Sequence, residues 1–420
     1  DPDLYLSNFG RNKLFLNDGG KFLEITESAG VGDGAWGASA AFADFDSDGY
    51  LDLYVSNYLE FSIAKHKECT LGHGVPAYCS PDAYPGASDR LYRNNGDGTF
   101  QDKTEAAGLN RYRGKGLGVI CGDFNRDGRM DIYVANDGIP NQLLLNQGGW
   151  RFEDVTLLAG VGYSEDGMAQ AGMGVAAGDL DGDGWAEIFV TNLSSETNVL
   201  YRGGPEGIFS DATVVMGLGA PSLLYTGFGT IFGDFDADGD LDIFVSNGHV
   251  IDNIRVFSDY LDYEQQDQFY QNSCGKFREV KLLEPPARAA GRGAAMGDLD
   301  GDGDLDLVVN NCGGRPYLYR NESKGDHHWL LIKLVGRRSN RDGVGARLEL
   351  VAGGKPLTRE VYGGGSYLSH SDGRVHFGLD DHERVERLTV RWPSGTVQVL
   401  EDLKVNQVLK VVEPESGDGG

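Results

Sequence analysis

The stretch ADFDSDGYLDLYVSN, Ala43 to Asn57, decides how the rest of the chain is read. Four acids, Asp44, Asp46, Asp48 and Asp52, crowd around Gly49, and an apolar run follows at once. Carboxylates this close repel one another, so the pattern asks for a cation or a fully solvated turn. It returns as GDFNRDGRMDIYVAN (Gly122 to Asn136), GDLDGDGWAEIFVTN (Gly178 to Asn192), GDFDADGDLDIFVSN (Gly233 to Asn247) and GDLDGDGDLDLVVNN (Gly297 to Asn311). The first acids, Asp44, Asp123, Asp179, Asp234 and Asp298, are spaced by 79, 56, 55 and 64 residues. A cut sixth copy, DPDLYLSN, opens the chain with Asp3 in the place of Asp52.

Between the copies lies a second repeated pattern, such as NQLLLNQGGWRFEDVTLLAGV: a short apolar strand, a Gly-rich turn, and a strand of alternating polarity. One unit therefore predicts four short strands, as in GLGVICGDFN, DIYVAN, QLLLN and RFEDVT. Four-stranded units at roughly 50-residue spacing predict the blades of a β-propeller. Six units are visible, and the blade number expected is six or seven. The unequal spacing places long insertions at 58–88 and 248–266. The first unit lacks its lead-in strand and the last its fourth strand, and a segment upstream is expected to supply both.

The motif DxDxDGxxD suits a hard cation. Calcium takes about six to eight oxygens at roughly 2.3–2.6 Å, and alternate carboxylates in a tight loop can converge on it. Magnesium fits less well, since it keeps its waters in a rigid octahedron. The expected ligands of the first complete loop are Asp44, Asp46, Asp48 and Asp52, with the Tyr50 carbonyl. The second uses Asp123, Asn125, Asp127 and Asp131 with the Arg129 carbonyl, and the third Asp179, Asp181, Asp183 and Glu187 with that of Trp185. The fourth uses Asp234, Asp236, Asp238 and Asp242 with the Asp240 carbonyl, and the fifth Asp298, Asp300, Asp302 and Asp306 with that of Asp304. An Asp/Gly hairpin turn explains one copy, but not five in register. About five calcium ions are expected. Asn125 makes the second loop the weakest.

Charge agrees with this reading. The chain of 420 residues carries a formal charge of -27. From Asp326 onward there are 13 basic and 14 acidic residues, against 24 and 50 before it. The acidity thus belongs to the repeat region, and it disfavours nucleic acid or an anionic membrane as partner. No apolar run is long enough for a transmembrane helix. Cys69 and Cys79 share the first insertion, and a local disulfide is expected between them. No HExxH, GxSxG or other catalytic constellation occurs.

After residue 325 the pattern changes. WLLIKLVG, ARLELVAGG, PLTREVYGG, RVHFGL, RLTVRWPSG and VLKVVE predict strands of a small β-sandwich-like module. The division expected is a propeller over 1–324, a β domain over 325–414 and a flexible tail over 415–420.

The acid loops, with lead-ins such as Gly227 to Gly229, resemble FG-GAP/VCBS repeats of integrin-type propellers. The stretches HHWLLIKLVGRRSNRDGVGARLEL, REVYGGGSYLSHSDGRVHFGL and LTVRWPSGTVQVL resemble the ASPIC/UnbV domain. Together they resemble the cartilage acidic protein 1 family. The resemblance implies a secreted, calcium-loaded protein of adhesion or matrix type that meets extracellular proteins, glycans or copies of itself, without a defined enzymatic activity. The alternative expectation is a secreted carbohydrate-active enzyme on the same scaffold.

Overall fold

The computed structural model describes residues 2–71, 74–282, 287–322 and 327–415. The expected boundary at 324/325 and all but the first residue of the tail lie outside them. The fold is an all-β propeller, and its repeat units are antiparallel sheets whose strands pair in chain order. Unit 1 has three strands, Leu4–Leu6, Lys13–Asp18 and Lys21–Glu24. Units 2 to 5 have four each, and unit 6 has three, Gly291–Gly297, Asp306–Asn311 and Tyr317–Tyr319. The innermost strands of units 2 to 6 are Gly37–Ala43, Gly116–Gly122, Val175–Gly178, Gly227–Gly233 and Gly291–Gly297, and they lie side by side in that order. Their small residues permit this approach. A Cβ on Gly174 would sit 1.9 Å from the Phe228 carbonyl oxygen, so only glycine fits there.

No sheet buries both faces by itself, so the apolar residues work in pairs of units. Ile132 and Val134 pack back onto Tyr54 and Leu91 of unit 2. Tyr133 and Leu143 of the same sheet pack forward onto Ile188 and Val190 of unit 4. Equivalent cores join units 1 and 2, 4 and 5, and 5 and 6. Period-two alternation is what lets one strand serve two cores.

Residues 329–412 build two further sheets. Trp329–Val335 pairs with Val375–Gly378 on one side and, in parallel, with Gln407–Val412 on the other. Facing it are Lys355–Glu360, Arg347–Ala352, Arg384–Arg391 and Val397–Lys404. Leu330, Ile332, Leu348, Leu350, Phe377, Leu388 and Val390 form one dry core between them.

The expected disulfide Cys69–Cys79 is formed. The two insertions meet, with Asn253 Nδ2 donating to the Pro76 carbonyl at 3.1 Å. They lie at the end of each second strand opposite the acid loops. Asn192, the acceptor position of a glycosylation sequon, is buried and hydrogen-bonded through its amide to Thr197 O.

Residues 363–372, which sit inside the ASPIC/UnbV-like stretch but carry no strand periodicity, lie between two strands of the C-terminal sheets and enter the centre of the ring. Gly363–Gly364 pairs with Ile120 and Cys121 on the inner strand of unit 3. Ser366 exchanges backbone hydrogen bonds with Val175 of unit 4, and its hydroxyl donates to Ala294 O of unit 6 at 2.7 Å. Tyr367 meets Phe228 of unit 5 edge-on at 4.9 Å, and Leu368 N donates to Ser39 Oγ of unit 2. Asp372 N donates to Met296 O. This axial plug therefore touches all of units 2 to 6.

Candidate metal centre

Each acid loop joins the inner strand of a unit to the second strand and is shaped by hydrogen bonds from backbone N–H groups to its own acids. The first acid turns back on the loop: Asp44 accepts from Asp48 N and Gly49 N, and Asp123 from Asp127 N and Gly128 N. Asp179, Asp234 and Asp298 accept from Gly182 N, Gly239 N and Gly301 N at 2.7–3.0 Å. The third acid closes a small turn, Asp48 onto Tyr50 N, Asp183 onto Trp185 N, Asp238 onto Asp240 N and Asp302 onto Asp304 N. Asp127 does the same for Arg129 N. Gly49, with φ +89°, supplies the left-handed step of the turn.

The closing acid has a second job that the spacing alone did not reveal. Asp52 accepts from Phe45 N at 2.9 Å and from Asn94 N of the third strand at 2.9 Å. Asp131, Glu187, Asp242 and Asp306 repeat both contacts. All five are essentially buried. Burial raises the pKa values of Asp52, Asp131, Glu187 and Asp242, and neighbouring loop carboxylates add to it. Asp52 rises to about 7, Glu187 and Asp242 to about 8, and Asp131 well above the carboxylate range. Burial also lifts Asp179 to about 6 and Asp234 to about 7.

In four loops the ligand atoms converge. Asp44, Asp46 and Asp48 bring carboxylate oxygens within 4.8 Å of one another, as do Asp179, Asp181 and Glu187. The same holds for Asp234, Asp236 and Asp238, and for Asp298, Asp300 and Asp302. Among the described residues the second loop forms no such three-acid group, consistent with Asn125 standing in its middle. Buried oxygens Asp46 Oδ1, Asp234 Oδ1 and Asp236 Oδ1 have no hydrogen-bond partner. Orphaned buried oxygens beside further carboxylates fit a hard, oxygen-seeking cation. Arginines line the rim: Arg93 reaches Asp46 and Asp48, Arg202 reaches Asp181 and Asp183, and Arg320 reaches Asp300 and Asp302.

The C-terminal sheets cover this face. Gly378 N donates to Asp234 Oδ2 at 2.9 Å, and the buried Arg359 guanidinium lies 3.7 Å from the same carboxylate. Lys355 pairs with Asp240 at 2.9 Å, and His376 Nε2 contacts Gly303 O at 3.0 Å. Arg338, Val344 and Arg347 lie against the loops of units 2, 3 and 4. All five complete loops thus touch the cap.

Comparison with known proteins follows the same division. The model of the FG-GAP-like repeat matches residues 1–55, 79–134, 123–190 and 179–245, and that of ASPIC and UnbV matches 336–418. The chain belongs to the FG-GAP-repeat family, with a C-terminal ASPIC and UnbV region. It is similar to cartilage acidic protein 1 of Homo sapiens, 28% identical over 405 residues, covering 94% of this chain and 56% of that protein. For cartilage acidic protein 1 of Xenopus tropicalis the identity is 27% over 411 residues, with 94% and 58% covered. The chain thus spans little more than half the length of these relatives. Among solved structures, the Bombyx mori GH32 beta-fructofuranosidase aligns over 88% of this chain and 90% of that one, at 10% identity and a TM-score of 0.36. An Agrocybe aegerita lectin aligns over 76% and 90%, at 16% identity and a TM-score of 0.33. At these scores neither carries an argument about this chain. Among the described residues no helix is long and apolar enough to cross a membrane.

Proposed function

We propose that the protein is a secreted calcium-binding protein of adhesion or matrix type, with a metal-stabilised propeller over 1–324 and a capping β domain over 325–414. The observation that carries the calcium reading is the convergence of three carboxylates in four of the five loops, with unpartnered buried oxygens on Asp46, Asp234 and Asp236. Calcium there is structural. It neutralises acids that burial otherwise drives toward protonation, and it ties the inner strand of each unit to the second. The kinship with cartilage acidic protein 1 supports an extracellular setting. A binding role, with an extracellular protein or glycan or another copy as partner, is supported by the plug across the ring axis, beside which a cavity lined by Val175, Ile231, Arg359 and His370 remains. Residues 363–372 occupy the place where a central cleft would otherwise lie. The test is elemental analysis with calorimetric titration of the metal-stripped protein. About five calcium equivalents are expected; no bound metal and no heat of binding would end the proposal. Capture from native extracellular material then identifies the partner.

A further inference from the structure

The plug leaves part of the ring axis open. A cavity of about 190 Å³ lies between residues 364–366 and 370–374 and is bounded on the cap side by residues 358–362, 375 and 376. The inner strands of units 4 and 5 give it an apolar wall, through the buried side chains of Val175, Ile231 and Phe232. The exposed lining residues, His370, Asp372 and Gly373, mark its mouth.

Every charged side chain of the lining already has a partner. Arg359 lies 3.7 Å from Asp234, Arg374 Nε donates to Asp372 at 2.6 Å, and Glu360 accepts from the Tyr362 hydroxyl at 2.7 Å. Asp179 is held in its acid loop by Gly182 N. No charge is left over to hold an ion. Three polar atoms of lining residues, however, are buried without a hydrogen-bond partner: Thr230 Oγ1, Arg359 Nε and His376 Nδ1. The residues that carry them are at most 9% exposed. A fourth such atom, Asp234 Oδ1, belongs to the cation site described above. Buried polar groups are normally satisfied, so these three ask for a visitor. Their polarity is defined. Arg359 Nε can only donate. Gly303 O can only accept, so His376 Nε2 carries the proton and Nδ1 offers a lone pair. Thr230 can do either. A hydroxyl group answers both kinds of need, whereas a carboxylate has no proton for His376 and an ammonium no lone pair for Arg359.

We propose that this cavity binds a small uncharged alcohol whose apolar body is about the size of one six-membered ring. The size follows from the volume, since an apolar cavity of roughly 150 Å³ holds benzene. Water alone fills such a space poorly. Each molecule occupies about 30 Å³ and needs two to four polar partners, which Val175, Ile231 and Phe232 do not supply. A ligand that displaces loosely held water from an apolar wall gains affinity.

The test uses three probes of one shape: benzyl alcohol, benzoate and benzylammonium. Each is titrated into the 420-residue chain in calcium, and the methyl resonances of Val175 and Ile231 are followed by NMR. Benzyl alcohol is expected to shift both saturably, with the two ions binding about tenfold more weakly, as an unmade buried hydrogen bond predicts. Thr230→Val keeps the shape and removes an unpartnered hydroxyl, so the fold should survive; it is expected to weaken benzyl alcohol by roughly threefold to tenfold and to leave toluene unchanged. Methyl resonances that do not move up to the solubility limit of benzyl alcohol would overturn the proposal and assign the cavity to water. Either ion binding as tightly as the alcohol would also overturn it, as would a Thr230→Val protein that loses toluene and alcohol equally or loses neither.

Discussion

The ring and the cap reach stability by opposite routes. In the ring, each apolar core is shared by two neighbours, and every second-strand residue serves one side or the other. The cap encloses a single core made wholly of residues 330–411. A ring unit therefore has little reason to fold alone, and its polar loops concentrate like charge. The cap is nearly neutral and carries no acid loop. Where burial is divided among repeats, an ion can contribute what local packing does not.

Removing calcium is the largest test of this contrast. At about 100 times the dissociation constant a bound ion stabilises by roughly 2.7 kcal/mol per site. Five sites then contribute more than ~10 kcal/mol, comparable with a domain's net stability of about 5–15 kcal/mol. Calorimetry in EDTA should show the ring transition collapsing and a cap transition surviving. A fragment starting near residue 325 should give the same dispersed NMR spectrum with and without chelator, and in both conditions residues 363–372, which lack the ring they pair with, should differ from the full chain. An unchanged melting curve in protein shown to be metal-loaded beforehand would break the comparison.

Truncating the cap core should have the converse effect. Phe377 is fully buried, and Phe377→Ala is expected to remove about 3–5 kcal/mol. Denaturant curves should show the loss in the cap transition rather than in the ring.

Acid should act on the cap through Glu413, which is fully buried. Burial alone would raise its pKa, but the Ser394 hydroxyl and the N–H groups of Arg337, Ser339 and Arg338 outweigh this and hold it at about 2. A folded value below the ordinary 4.5 means stability present above pH 4.5 and lost as pH falls toward 2. Linkage puts the contribution at about 3 kcal/mol. Glu413→Gln should forfeit a similar amount at neutral pH and flatten the cap's acid denaturation profile.

The smallest expected effect separates one loop from its siblings. The loop holding Asn125 should release calcium first on titration with chelator. Asn125→Asp should tighten it roughly tenfold, about 1.4 kcal/mol; an unchanged order of release would show that the central acid does not set affinity.

The sequence made the ring readable because repetition multiplies a weak signal. Asp44, Asp123, Asp179, Asp234 and Asp298 identify one another, and the missing strands of units 1 and 6 show as gaps in a known pattern. The two sheets of the cap were legible from alternation. The plug was not, because it occurs once and has no periodicity. It falls inside the ASPIC/UnbV-like stretch REVYGGGSYLSHSDGRVHFGL, but nothing in that stretch points at the ring. The contacts explain the glycines: a Cβ on Gly363 would lie 2.3 Å from Phe42 O, and Gly364 has φ +79°. The backbone contacts of Asp52 and its equivalents were equally hidden, since a ligand and a strand clamp leave the same residue at the same place.

The axial plug also sets an order of events. A chain is made from its N-terminus and its domains fold in that order. The strands from Leu4 to Tyr319 are thus synthesised before Gly363 to Asp372 exist. During that interval the acid loops face solvent without their lid, and metal ions can reach them freely. Once Arg359, Gly378 and His376 settle over units 5 and 6 and the plug is seated among five inner strands, exchange of the proposed ions would have to wait for the cap to lift. In the calcium protein proposed above, an ion taken up during synthesis would then leave no faster than the cap opens.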